Sequence, residues 1–535
     1  MNKYIKQLFI EYKKQVIINI FANILVMFLT IASPIVLRQF ISAKNGLGNP
    51  SILVLYIVTL IWEYLMMLLV KLYNLKQGYE FKISESMRIL KWIYNMDYSE
   101  IIKKEPTYLV EKMSGTVDTV YLLFSNVFSS ILVSMLTIVV TLVMIAKTNL
   151  ILFFLFLCLI PVFKVLPQNL NKNLSLRSEN MQTVLARNNT LLKSIVSVPD
   201  AFKQIDDKSG IMQMARKGFS DVQREKLDIN QYAGIYSLVI DFCMVLLTNI
   251  INIYSIYLFS LNRIEMSTMV FINLISGIYI TALSNVINLD ITIMDLKGAL
   301  SYIDNEIIAL QEDDGVESIS EINDVEINIK NYGYNKILIR EANIKLTKGN
   351  VIGLLGKSGS GKSSILKMLL KYIKTDGVYI NDVPISKYSN YQLRKLISYV
   401  SQDYYLFPGS ILDNITIKQA WDENSLKKVL SMPFLEIFKD LPEGLDTVIV
   451  ENGANLSGGD KQRIMIARAL LKKADIYIFD EAFSALDERT ALDIQKQIID
   501  NHGSSIVIFV AHNMNLLDKI ERKYLLDNGV MVEYY

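Results

Sequence analysis

A chain of 535 residues exceeds one ordinary domain, and 51% hydrophobic residues with a mean hydropathy of +0.30 exclude a wholly soluble protein. A net charge of +2, from 55 basic and 53 acidic residues, offers no basic field for nucleic acid, and no nucleic-acid partner is expected. Only Cys158 and Cys243 occur, both inside apolar stretches, which excludes a disulfide framework or a cysteine-built metal site.

The basic N-terminus MNKYIKQLFIEYKKQ leads into a long apolar run without a small-residue cleavage site, so it reads as the cytoplasmic start of a retained helix. It leaves no room for an extra N-terminal domain, and a peptidase domain is not expected. Six apolar segments follow, at about 16–41, 52–74, 121–146, 149–167, 233–260 and 268–289, each near the roughly 20 residues that cross a bilayer as a helix. The fourth is short and holds Pro161. Lys and Arg crowd the connection between the fourth and fifth segments, whereas the loops on the other side offer Lys44, Lys147 and Arg263. By the positive-inside rule both termini are cytoplasmic. The long connections at about 75–120 and 168–232 carry apolar residues at helical spacing and are expected to extend as helices into the cytoplasm.

An acidic, Gly-broken stretch at 301–320 reads as a linker. From 321 onward strand-like runs alternate with helical ones, which predicts an α/β domain with a largely parallel sheet. Near the end, Asp527-Asn528-Gly529 fits a hairpin turn.

The chemistry sits in this second domain. The apolar run VIGLL leads into GKSGSGKSS, in which Gly356, Lys357, Ser358, Gly359, Ser360, Gly361, Lys362, Ser363 and Ser364 fit the phosphate-loop pattern. Backbone N–H groups would close around a phosphate at a helix N-terminus, Lys362 would reach the β- and γ-phosphates, and the Ser363 hydroxyl could ligate Mg2+. The run ADIYIFDE ends in adjacent carboxylates: Asp480 suits holding Mg2+ through water, and Glu481 suits polarising the attacking water. SIVIFVAHN delivers His512, placed to sense a γ-phosphate, and LISYVSQ delivers Gln402, whose amide could reach both metal and water. Behind these, NLSGGDKQR places Ser457, Gly458 and Gly459 ahead of a helix, a geometry suited to an anion.

Taken in order, GKSGSGKSS, SQD, NLSGGDKQR, IFDEAFSALD and VAHN resemble the nucleotide-binding domain of ATP-binding cassette (ABC) transporters, over essentially 321–535. The resemblance implies ATP and Mg2+ as ligands and a head-to-tail cassette dimer in which Ser457, Gly458 and Gly459 cap the ATP of the partner. It implies Gln402 as Q-loop glutamine, Glu481 as catalytic base, Ser484 to Asp487 as dimer-contacting D-loop and His512 as switch histidine. TVIVENG, 447–453, resembles the segment through which exporter cassettes touch the partner's membrane helices. Tyr334 is the expected adenine-stacking aromatic, with Tyr332 as the rival. Asp460 departs from the family's usual Gln, and few residues follow His512.

The first 300 residues resemble the membrane half of an exporter-type half-transporter, as found among peptide, bacteriocin and multidrug exporters. The expected fold is therefore a multi-domain membrane protein: an all-α six-helix transmembrane domain at 1–300, a linker at 301–320, and an α/β P-loop ATPase domain at 321–535. Short helices at about 97–108 and 199–207 are expected to seat on the cassettes. The expected working unit is a dimer in the cytoplasmic membrane, a homodimer first and a heterodimer as the alternative, surrounded by lipid. Glu63, about twelve residues inside the second span, is the candidate for lining the path of a cationic, amphipathic or peptidic substrate; a structural interhelical bond is its other reading. Import, an ATP-regulated channel, or a binding half without hydrolysis are the functional alternatives.

Overall fold

A computed structural model describes residues 3–42, 50–104, 106–196, 203–333, 337–403, 405–450, 453–512 and 514–534. They form two compact units, one of residues 1–96 and 101–311, the other of residues 97–100 and 312–535.

The first unit is helical: α1 (Lys3–Ser42), α2 (Pro50–Tyr94), α3 (Tyr98–Lys103, whose residues 98–100 count with the second unit), α4 (Pro106–Leu122), α5 (Phe128–Thr148), α6 (Leu150–Val196), α7 (Ser209–Ser260) and α8 (Met266–Ser301). Among the described residues five helices are long and apolar enough to cross a membrane, and Leu150–Pro161 is a shorter apolar stretch. At 1.5 Å per residue the 45-residue α2 far exceeds a hydrocarbon core of about 30 Å, so its later turns extend beyond it. One apolar cluster joins Ile145, Phe156 and Tyr279, and the Tyr279 hydroxyl donates to the Phe156 carbonyl at 2.7 Å. A second gathers Leu8, Phe81, Ile89, Phe124 and Tyr302.

Two local expectations change. The stretch 97–108 is not one helix, because α3 ends at Lys103 and Pro106 starts α4; proline lacks the N–H that an interior turn needs but suits a first helical position. The supposed linker begins as helix: α8 continues through a π-helical turn (Tyr302–Ile307) and on to Leu310, because Tyr302, Ile303 and Ile307 are buried against the helical unit. Of the other short helix, expected at 199–207, residues 199–202 lie outside the described residues, 203–204 are helical and 205–207 are not.

The second unit holds β1 (Asp324–Gly333), β2 (Ile337–Thr347), β3 (Val351–Leu355), α9 (Lys362–Leu369), β4 (Val378–Ile380), β5 (Val383–Pro384), α10 (Asn390–Lys395), β6 (Ile397–Val400), β7 (Gly409–Ser410), α11 (Ile411–Thr416), α12 (Glu423–Leu430), β8 (Val448–Ile449), α13 (Gly458–Leu471), β9 (Ile476–Asp480), α14 (Glu488–His502), β10 (Ile506–Val510), β11 (Arg522–Asp527) and β12 (Val530–Tyr534). Ten strands make one sheet in the order β5-β4-β1-β2-β12-β11-β3-β10-β9-β6. From β11 to β6 every pairing is parallel, and these runs are rich in Ile, Val and Phe because both faces are covered. β1, β2, β4 and β5 pair antiparallel at the other end. The β11–β12 hairpin turns on Asn528 and Gly529, both at positive φ (+49° and +80°), as the DNG turn requires.

Candidate functional site

The site is built at the carboxyl ends of four neighbouring parallel strands, β6, β9, β10 and β3, where an open α/β sheet leaves its ligand crevice. Register aligns them: Val510 pairs with both Asp480 and Leu354. The segments after these strands therefore converge.

After β3 the chain turns at Gly356, with φ +153°, and again at Gly359 and Gly361, with φ +77° and +111°. A Cβ on Gly356 would stand 2.6 Å from the Leu526 carbonyl oxygen, so the loop needs glycine there for space as well as for φ. Lys362 opens α9, and its buried ammonium folds back over the loop, donating to the carbonyls of Gly356 at 2.7 Å and Lys357 at 3.1 Å. Burial lowers its pKa, against the pull of Glu481 and Asp480. The Ser360 hydroxyl oxygen is buried without a partner among the described residues.

Asp480 closes β9 and is 1% exposed. Its Oδ2 accepts from the Tyr399 hydroxyl at 3.1 Å, and its Oδ1 is buried with no hydrogen-bond partner among the described residues. Burial raises its pKa, opposed by the hydroxyls of Ser363 and Tyr399 and by Lys362. Glu481 follows in a left-handed conformation, φ +52°, which turns its side chain out of the strand alternation. Its Oε2 accepts from Gln402 Nε2 at 2.9 Å and its Oε1 lies 2.5 Å from His512 Nε2. The other ring nitrogen of His512 is 3.1 Å from the Gly356 carbonyl oxygen. Gln402, Glu481, His512 and the phosphate loop are thus one hydrogen-bonded constellation.

A hard cation fits these groups. The orphaned Asp480 Oδ1, the Ser363 hydroxyl and the amide oxygen of Gln402 are oxygen donors of the kind Mg2+ takes.

Ser457 caps α13 in a reciprocal capping box. Its hydroxyl donates to Asp460 Oδ2 at 2.6 Å and accepts from the Asp460 N–H at 3.2 Å, while Arg463 lies 3.6 Å from Asp460 Oδ1. Gln462, buried one turn in, donates to Ser484 Oγ at 3.0 Å and accepts from Ala485 N–H at 2.9 Å, binding the α13 end to the segment after Glu481. That approach is close at Gly458 and Gly459, where an added Cβ would stand 3.1 Å from Ala485 Cβ and from Leu486 Cδ2 respectively.

Tyr334 lies outside the described residues. Tyr332, its rival, packs against the core cluster around Ile327 and Ile329. Tyr399 and Gln462 were missed from sequence: a tyrosine in a strand and a glutamine in a helix carry no motif, and only strand register or helix phase would have marked them.

In the helical unit Glu63 accepts a hydrogen bond from Thr30 Oγ1 at 2.7 Å, a tie between α2 and α1. A cavity of about 680 Å3 opens nearby, its wall including Asn23, Met67, Lys71, Asn74 and Tyr121, and Glu63 is not among its lining residues.

This site and this sheet have the architecture of an ABC cassette, here fused to a helical domain. Residues 339–484 match the ABC transporter family. The chain is similar to the pediocin PA-1 transport/processing ATP-binding protein PedD of Pediococcus acidilactici, 27% identical over 403 residues that cover 72% of this chain and 55% of that one. This chain therefore spans little more than half of that relative. It is 28% identical to the microcin-J25 export ATP-binding/permease protein McjD of Escherichia coli over 468 residues, 84% of this chain and 79% of the relative. The structure of a bacterial Atm1-family ABC exporter with ATP bound superposes with a TM-score of 0.82 at 17% identity, covering 97% of this chain and 95% of that one.

Proposed function

We propose that the chain hydrolyses ATP to drive export of an amphipathic, peptidic cargo across the cytoplasmic membrane as an alternating-access dimer. The observation that carries the reading is the joint hold of Gln402 and His512 on the Glu481 carboxylate beside the Gly356 loop. Glu481 acts as general base on the attacking water, Gln402 and His512 orient it, and Lys362 neutralises phosphate charge. Asp480, Ser363 and Gln402 would hold Mg2+, which when bound would supply neutralisation of phosphate charge.

Ser457, Gly458 and Gly459 act on ATP held by the partner cassette, so the working unit is a dimer, with a homodimer favoured over a heterodimer. Both termini lie in the cytoplasm, in keeping with the Lys- and Arg-rich connections. The relatives named for pediocin PA-1 transport and microcin-J25 export support a peptidic cargo. Preference for cationic groups rests on Glu63. The test is ATP hydrolysis and peptide accumulation in inside-out vesicles, beside Glu481→Gln. ATP-dependent accumulation absent from the variant supports export, whereas loss of preloaded peptide would mean import; unchanged uptake with Glu63→Gln would remove the cationic preference.

A further inference from the structure

The position of Asp480 is set from outside the recognised motifs. Tyr399 lies on β6 opposite Ile478 of β9 in parallel register. Residues two apart share a face of a strand, so Asp480 lies one step forward on the same face, within reach of a tyrosine side chain. The Tyr399 hydroxyl donates to Asp480 Oδ2 at 3.1 Å, while Oδ1 is buried without a hydrogen-bond partner among the described residues, with the Ser363 hydroxyl also acting on the carboxylate. A carboxylate that is 1% exposed can swing between rotamers unless one oxygen is held, and this bond turns the other oxygen to a defined place.

Tyr399 is itself held by packing. It lies against the cluster that also receives Tyr372. Tyr372 is stacked on Tyr98 at 4.4 Å with 9° between the planes, and it lies under the Arg394 guanidinium at 4.8 Å. Arg394 in turn grips Glu312 through two nitrogens, at 2.9 and 2.6 Å.

We propose that Tyr399 is a positioning residue for the metal-holding carboxylate, fixing Asp480 so that Oδ1 is presented toward the cation that accompanies the nucleotide. This rests on the ATP-site reading above. Removing the hydroxyl leaves the sheet packing intact but frees Asp480 to turn, which weakens only that part of nucleotide binding that depends on the cation.

The test is equilibrium binding of a fluorescent ATP analogue to the full chain in lipid nanodiscs, in a Glu481→Gln background, with Mg2+ and with EDTA. Tyr399→Phe should keep the EDTA affinity and the melting temperature but lose about 10-fold of the Mg2+-dependent gain, the scale of one hydrogen bond to a charged group. Asp480→Asn should lose a comparable or larger part. If Tyr399→Phe retains the whole Mg2+ gain while Asp480→Asn does not, the positioning role is wrong. Equal weakening with and without Mg2+ would also overturn it, because that marks a general packing defect. A parent chain that binds no analogue in either buffer would instead sink the ATP-site reading.

Discussion

His512 and Glu481 face each other across 2.5 Å, and the far nitrogen of the same imidazole stands 3.1 Å from the Gly356 carbonyl oxygen. One side chain thus ties the Glu481 carboxylate to the loop after β3. Because Gln402 holds the other Glu481 oxygen at 2.9 Å, a nucleotide entering this site has to exchange these bonds for its own.

Glu481→Gln keeps the size and one acceptor oxygen but removes the base. Hydrolysis should fall by about 10²- to 10⁴-fold while ATP binding persists. A steady-state phosphate-release assay beside a binding titration checks this; a variant with near-parental turnover would move the base elsewhere.

Asp460 occupies the Ser457 hydroxyl proton at 2.6 Å and puts a carboxylate at the helix end that is proposed to meet the partner's γ-phosphate. Asp460→Gln should release that hydroxyl and remove a like charge, raising apparent ATP affinity by about 2- to 5-fold, the range of one charge at a helix terminus. The measurement is ATP affinity of the full-length Glu481→Gln chain with and without the second change. An unchanged or weaker affinity would count against Asp460 as an opposing group.

Gly356 and Gly359 separate space from backbone strain. Both have positive φ, but a Cβ on Gly356 meets a backbone oxygen at 2.6 Å and on Gly359 meets nothing within 4 Å. Gly359→Ala should cost about 1 kcal/mol of cassette stability and Gly356→Ala about 2 kcal/mol or more, with nucleotide binding lost only in the latter. Thermal unfolding monitored with and without ATP ranks them.

His502 ends α14 with its ring 4.7 Å from Tyr477 and its Nε2 buried without a partner among the described residues. Burial, helped by Lys428, pushes its pKa down from 6.5 to about 4. The folded state thus favours the neutral ring, and the unfolded chain takes up the proton first. The contribution of His502 is complete above pH 6.5 and is lost as pH falls from there toward 4. His502→Phe should flatten the dependence of melting temperature on pH across that window; an unaltered slope would show that another group carries it.

Much of this was legible along the chain. Apolar runs of bilayer length, the parallel-strand runs and the phosphate loop are local in sequence, because helix periodicity, strand burial and the φ demands of glycine act over a few residues. Gln402, Asp480, Glu481 and His512 were also legible, each at the end of a recognisable strand. The end of α8 was not: residues 301–310 look like linker but stay helical because Tyr302, Ile303 and Ile307 are buried. The break at Pro106 was signalled by the residue itself and was passed over.

The amino-acid sequence by itself determined which groups the cassette can use, since a lysine after glycines, paired carboxylates and a capping serine are chemical facts of single positions. Only the tertiary structure decided which of them touch. That His512 reaches Glu481, that Tyr399 holds Asp480, and that Ser457 is already engaged by Asp460 depend on strand register and on a left-handed turn at Glu481. Such relations arise when segments distant in the chain pack together, and an angle or a one-residue shift in register would undo them.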